Sequence, residues 1–316
     1  MSQSVRMAES SHQNGRAVIG TQEDRALMKL SVIIPCYNGA KTIGAQLEAL
    51  TRQHWDGPWE VIVADNGSTD ESLAIVEQYR ERLPGLRVVE AAAIRTQPHA
   101  LNVGSRAATG EMLLFCDADD QVDDGWLAAM AAALSKHDFV ACRTDARKLN
   151  PPWIANLGSA QDKGLRGLEY APQLRYAGSG TIGVKRSLLL ETIGGFDESM
   201  KTYFDNFLCF QIQLAGTELH FVPDAVLHLR HRSSLRALFR QGLGYGECQP
   251  VMYKKLVALG IPKLSRPWRV AIDHWHGLLG ALLRARNRTR LANCAFALGF
   301  QLGRLKGSIK HRVVFL

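Results

Sequence analysis

Apolar residues along this chain fall in short runs that end at polar turns, with helical spacing in several of the gaps between them. Leu30–Ile34 is one such run, closed by Pro35, and Trp59–Ala64 is a second, ending at Asp65-Asn66-Gly67. Leu86–Val89 and Glu111–Cys116 are a third and a fourth. Runs of this length bounded by turn residues predict buried strands. Ser68-x-x-Glu71 reads as a capping box opening a helix through Leu73, Val76 and Tyr79. Ala100–Ala108 predicts a helix stopped by Gly110, and Asp123-Asp124 precede another over Trp126–Leu134. Strands alternating with helices predict βαβ units, hence an α/β fold with a mainly parallel central sheet flanked by helices.

Beyond Phe139–Cys142, read as a further strand, the pattern weakens. Residues 145–180 show little periodicity and are expected to form an irregular insertion or active-site loop. A strand at Thr181–Val184, a helix near Ser187–Thr192, a Gly194-Gly195-Phe196-Asp197 turn and a helix over Asp205–Leu214 follow. Phe221-Val222 and Val226–Leu229 then flank Pro223-Asp224. The first 28 residues lack an apolar stretch and read as a flexible tail. The expected division is therefore a tail over 1–28, a main domain over 29–246 and a basic helical extension over 247–316.

The chain has 316 residues, 46% of them apolar, enough for a full core plus something smaller. Six cysteines are scattered without a Cys-x-x-Cys pair, which argues for reduced thiols in a cytosolic setting and against a structural zinc. The net charge of +8 is unevenly spread. From Cys248 onward there are 13 Lys and Arg against one acid, Asp273. Such asymmetry points to an anionic partner surface. Leu278–Leu283 and Leu291–Leu302 are too short to span a bilayer but suit amphipathic helices on an anionic membrane face. Packing on the main domain explains them nearly as well. Nucleic acid is not expected, since no binding fold accompanies the charge.

The chemistry concentrates at Cys116-Asp117-Ala118-Asp119-Asp120, after the fourth run. In an extended chain Asp117 and Asp119 project to one side, and the carboxyl end of a sheet is where α/β folds bind ligands. Paired hard oxygens there suit Mg²⁺ or Mn²⁺ carrying a diphosphate. A calcium loop is excluded, because Val122 and Ala128 stand where Gly and Glu are required. Asp65 ends another strand on the same edge, where it could accept hydrogen bonds from a base or ribose. Gly178-x-Gly180-x-x-Gly183 matches a dinucleotide fingerprint by letter but runs into an extended stretch, so it reads as backbone crowding near the ligand. Asp205 by itself is explained by the helix dipole. Two His and two Arg within His228–Arg232 make a phosphate or metal role as plausible as a structural one.

In order along the chain, Ser31–Asn38, Val63–Asp70, Phe115–Asp120, Gly194–Glu198, Asp205–Gly216 and His228 resemble family 2 glycosyltransferases of the inverting, nucleotide-sugar-dependent kind. The resemblance covers roughly residues 30–246 and implies a glycosyltransferase A fold, the nucleotide-diphospho-sugar transferase arrangement. It implies that Pro35, Tyr37, Asn38, Asp65 and Asn66 hold the nucleoside of a UDP, GDP or dTDP sugar. Asp117 and Asp119 fall at the metal-binding Asp-x-Asp, with Asp120 sharing that role and Asp117 also touching the donor. Asp205 falls at the general base and His228 at an added metal ligand. A glycan or lipid-linked acceptor is then expected, at the cytoplasmic membrane face. Phe204, Gln211 and Leu101 depart from the family pattern, suggesting an unusual acceptor pocket. A catalytically degenerate sugar-nucleotide-binding scaffold is the non-enzymatic alternative. A nucleotidyltransferase is a weaker one, since the loop after the first strand carries Pro35, Tyr37 and Asn38 rather than a glycine-rich basic sequence.

Overall fold

Strand β1 (Leu30–Cys36) sends Val32 and Ile34 into one apolar layer and Ile33 into the other. Parallel to it, β2 (Trp59–Asp65) repeats the alternation with Val61 and Val63 against Ile62. That is the period-two placement of a strand covered on both faces, and it explains why both strands read as nearly continuous apolar runs. Between them α1 (Ile43–Thr51) buries Ile43, Leu47 and Leu50. Then come α2 (Ser72–Glu77), β3 (Arg87–Glu90), α3 (Gln97–Ala107) and β4 (Met112–Phe115). Each large side chain buried this fully contributes roughly 1.5–3 kcal/mol.

The computed structural model describes residues 28–158, 161–168, 171–263, 267–313 and 315, so the expected tail lies almost wholly outside the described residues. The second half holds β5 (Gln121–Val122), α4 (Trp126–Leu134), β6 (Phe139–Asp145), α5 (Pro152–Ala155), β7 (Arg166–Leu168) and β8 (Ala171–Tyr176). These are followed by β9 (Ile182–Lys185), α6 (Phe204–Leu214) and β10 (His220–His228). The main sheet runs β3-β2-β1-β4-β9-β6-β10-β5. Its β3-β2-β1-β4 half is parallel, as is β6 with β10, while β9 lies antiparallel between β4 and β6.

Several local expectations change. Ser68 caps no helix. Its hydroxyl accepts from Asn38 N at 3.0 Å, and Asp70 instead accepts from Ser72 N at 3.1 Å at the start of α2. The stretch over 145–180 is not wholly irregular, since β7 and β8 pair as a hairpin within it. Phe221–Val222 and Val226–Leu227 belong to one strand with a bulge around Pro223, which cannot donate to a ladder.

The C-terminal helices are α7 (Leu235–Ala258), α8 (Pro267–Leu283) and α9 (Arg288–His311). The expected boundary at 246/247 falls inside α7, which is continuous across it. Helices α7 and α9 run parallel with their backbones nearly touching. A Cβ at Gly246 would collide with Phe300 O, and one at Gly303 with Leu243 O. Small residues spaced four apart permit that approach. Across the same seam Glu247 accepts from Lys306 at 2.7 Å and Lys310 at 2.8 Å.

Candidate active site

The carboxyl ends of β1, β2, β4 and β10 and residues of helices α3 and α7 line a cleft of about 800 Å³. On one wall are Pro35, near the end of β1, and the loop after it, with a half-exposed Tyr37 and Asn38. Hydrogen bonds lash this loop to the turn after β2. Asn38 Oδ1 accepts from Thr69 N at 2.8 Å, and Gly39 N donates to Ser72 Oγ at 2.8 Å. Asn38 adopts a positive φ of 50°, which an Asn tolerates better than most residues.

Asp65 ends β2 next to this loop. Its carboxylate accepts from Ser68 N at 3.1 Å and Gly67 N at 3.3 Å, so it builds the turn that the loop leans on. Asn66 lines the cleft while donating to Ala91 O at 2.5 Å and Ile94 O at 2.9 Å. Both side chains thus carry framework bonds. An ionised carboxylate still keeps acceptor capacity for a ligand.

The floor is Asp117, Asp119 and Asp120. The segment is a turn rather than an extended strand end, with Asp120 N donating to Asp117 O at 3.3 Å. The turn gathers all three acids, each with a carboxylate oxygen within 4.8 Å of the others. Asp117 Oδ1 accepts from Gln97 Nε2 at 2.9 Å, and Asp120 Oδ1 from Arg230 N at 2.8 Å. Burial, then the charges of Asp119 and Asp205, push the Asp117 carboxyl up to about 7. Asp120 is likewise raised well above the usual range by burial and by Asp117 and Asp119. The hydrogen bonds and the nearby Arg230 and Arg232 do not offset this repulsion. Three hard oxygen donors held against their own charge fit a divalent cation such as Mg²⁺ or Mn²⁺.

Asp205 opens α6 beside this floor, partly buried, accepting from Asn206 N at 2.8 Å and Ser179 N at 3.2 Å. Burial raises its carboxyl pKa. Between Asp205 and Asp117 runs the Gly178–Thr181 turn. A Cβ on Gly180 would come within 3.0 Å of Asp117 Cγ, and one on Gly178 within 4.0 Å of Asp205 Oδ2. The glycines of the apparent dinucleotide fingerprint thus let backbone pass between two carboxylates. Phe204, preceding Asp205, packs its ring 5.9 Å from that of Phe196 within the apolar layer. Leu101 is likewise fully buried there.

The expected His228 does not join the acidic group. It is the last residue of β10, paired there with Gln121 and Asp145, and its Nε2 lies 3.1 Å from Asp123 Oδ1. Arg230, His231 and Arg232, which follow as the chain leaves the sheet, line the cleft instead. Arg95 before α3, Gln97 at its first position, and Gln241 and Tyr245 on α7 were not singled out from the sequence. The helical spacing of the two α7 residues is the signal that could have found them. Burial first, then the charge of Asp205, raises the Tyr245 hydroxyl to about 12.

The model for glycosyl transferase family 2 matches residues 31–192. Poly(ribitol-phosphate) beta-N-acetylglucosaminyltransferase TarS of Staphylococcus aureus is 39% identical over 113 residues, 35% of this chain and 20% of that protein. The chain therefore spans only about a fifth of that relative's length. Dodecaprenyl-phosphate galacturonate synthase of Rhizobium johnstonii is 28% identical over 299 residues, 90% of this chain and 76% of that protein. Among solved structures, S. aureus TarS 1–349 with UDP-GlcNAc superposes with a TM-score of 0.56 at 19% identity, covering 90% of this chain and 93% of that one. Mannosyltransferase PcManGT of Pyrobaculum calidifontis with GDP-Man and Mn²⁺ gives 0.58 at 22% identity, covering 90% and 87%. At these identities the likeness is one of fold.

Proposed function

The chain belongs to glycosyl transferase family 2 and has the glycosyltransferase A fold, and from that premise we propose that it is a metal-dependent inverting transferase. It moves a sugar from a nucleotide-diphosphate donor to an acceptor hydroxyl in the synthesis of a cell-surface glycan or glycolipid. The observation that carries the reading is the pairing of a self-repelling acidic floor with a separate, partly buried carboxylate, Asp205, across a turn whose Gly178 and Gly180 face the two carboxylates. The donor's nucleoside lies between the Pro35–Asn38 loop and the Asp65–Asn66 strand end. Its diphosphate reaches Asp117, Asp119 and Asp120, which would hold Mg²⁺ or Mn²⁺. A cation bound there neutralises charge on the departing nucleoside diphosphate.

Asp205 takes the proton from the acceptor hydroxyl. The freed oxygen attacks the anomeric carbon, and the bond from that carbon to the diphosphate oxygen breaks with its electron pair leaving on the diphosphate. Its raised pKa makes the Asp205 carboxylate a stronger base than an ordinary aspartate. Names of related proteins support the substrate classes. UDP-GlcNAc and GDP-Man occupy two structures of the same fold, and poly(ribitol-phosphate) and dodecaprenyl-phosphate appear in the names of two relatives. Asp205→Asn is expected to keep nucleotide affinity and lower the transfer rate by ~10²–10⁴-fold, with wild type giving product of inverted anomeric configuration by NMR. A wild-type rate in that variant, or retained configuration, sinks the mechanism.

The acceptor side is proposed to face an anionic membrane surface. Among the described residues no helix is long and apolar enough to cross a membrane. Exposed Leu279, Leu282, Leu283 and Leu291 lie on α8 and α9 near Arg284, Arg286, Arg288 and Arg290, a mixture suited to the interface. Replacing Leu282 and Leu283 by Glu should release the protein from phosphatidylglycerol vesicles in a sedimentation assay. Undiminished sedimentation would remove this part of the reading.

A further inference from the structure

Beside the catalytic cleft, and sharing its Arg232, Gln241 and Tyr245 walls, is a second cavity of about 610 Å³ that the chemistry above does not use. It is lined by three arginines, Arg232, Arg236 and Arg240, together with the Ser234 and Thr202 hydroxyls. Arg236 and Arg240 are one turn apart on α7, so both guanidinium groups lie on the same face of the helix. Among the described residues no carboxylate is ion-paired with any of the three. Three like charges around one cavity, with no acid among its lining residues, repel one another unless an anion joins them.

We propose that this cavity is the acceptor subsite and that the acceptor carries a phosphate group, which Arg236 and Arg240 grip while Arg232 bridges to the donor cleft. Guanidinium groups present paired donors that match phosphate oxygens, and a dianionic phosphomonoester offers more oxygens than one guanidinium can pair. The Ser234 hydroxyl, which accepts from Ala237 N, keeps its own proton as a further donor. The location fits the transfer step. Tyr245, on the shared wall, is close enough to Asp205 and Asp117 for their charges to act on its hydroxyl. A phosphate seated among the arginines therefore leaves a neighbouring acceptor hydroxyl on the side of Asp205. The same chemistry could come from a soluble phosphomonoester or from a lipid headgroup. This inference rests on the transferase reading for its name as an acceptor subsite, but the anion site itself does not.

The test saturates the donor site first, so that phosphate cannot be read there. Wild type and the Arg236→Gln/Arg240→Gln double variant are loaded with Mn²⁺ and whichever of UDP, GDP or dTDP binds. Each is then titrated with glycerol 3-phosphate, and in a second arm with phosphatidylcholine vesicles containing phosphatidic acid. The double variant is expected to lose at least about tenfold in affinity for one of these probes, while its nucleotide affinity stays within about twofold, which also reports that it is folded. Loss with glycerol 3-phosphate assigns a soluble phosphomonoester, and loss confined to vesicles assigns a lipid headgroup. An Arg236→Lys/Arg240→Lys variant should recover part of the binding. Equal affinity in wild type and double variant for both probes, or no binding of either by wild type, overturns the proposal. If no nucleotide binds, the transferase reading fails, and the same titration without nucleotide still decides the anion site.

Discussion

Acids at opposite ends of the same sheet sit in environments that push them in opposite directions. Glu60 lies at the amino end of β2, opposite Ser31 of β1. Burial would raise its carboxyl, but hydrogen bonds from Arg87, Ser31 and Thr109 outweigh that and bring it down to about 2. Ser31 Oγ donates at 2.6 Å, and Thr109 donates through both N and Oγ1 at 2.8 and 2.7 Å. At the carboxyl end, Asp117 and Asp120 are raised, because burial and neighbouring acids exceed what Gln97 and the nearby arginines return. Glu60 is a completed structural ion pair. The acidic floor is a set of donors whose complement lies outside the polypeptide.

The largest effect that would break this contrast is at Glu60. Removing one partner of a buried pair strands the other, so Glu60→Ala should cost about 3–5 kcal/mol in chemical denaturation while leaving nucleotide affinity intact. If it instead weakened nucleotide binding with little loss of stability, the two ends would not be separate in function.

A second expectation uses the opposite signs. Glu60, depressed in the folded state, stabilises the protein above its ordinary value of 4.5 and loses that contribution as pH falls toward 2. Asp117 is raised from 3.8 to about 7, so its contribution is most favourable below 3.8 and declines as pH rises through about 7. Mn²⁺ should therefore stabilise strongly at pH 8, by about 2.7 kcal/mol at a hundred times its dissociation constant, and much less at pH 5. A thermal shift equal at both pH values would contradict the assignment of the acidic floor.

A smaller effect belongs to the helical layer. Gly246→Ala should destabilise by about 1–3 kcal/mol through overpacking, since its Cβ would meet the Phe300 carbonyl. Tyr245 and Gln241 share that helix, so this variant should also weaken acceptor use more than donor binding. Unchanged stability would mean that α7 and α9 can separate.

The strands that carry the site were readable because both faces of the sheet are covered, which leaves unbroken apolar runs such as Val61–Val63. The helix over Trp126–Leu134 was found at its observed limits. The capping box at Ser68 misled because local spacing cannot show that a loop thirty residues earlier competes for the same hydroxyl. Glu60 escaped notice because a charged residue at the start of an apolar run looks like a strand edge, and its three partners come from distant segments. The acidic motif was legible as chemistry, although its geometry is a turn. His228 was grouped with its sequence neighbours, yet the end of β10 separates it from them. Tyr245 and Gln241 reach the cleft only through the packing of α7.

The most direct test of the central claim is calorimetric titration of UDP, GDP and dTDP with and without Mn²⁺, on wild type and Asp119→Ala. The account predicts that one nucleotide binds wild type in a metal-dependent way and that Asp119→Ala abolishes this binding. Binding indifferent to the metal and to the substitution, or no binding of any of the three, would contradict it.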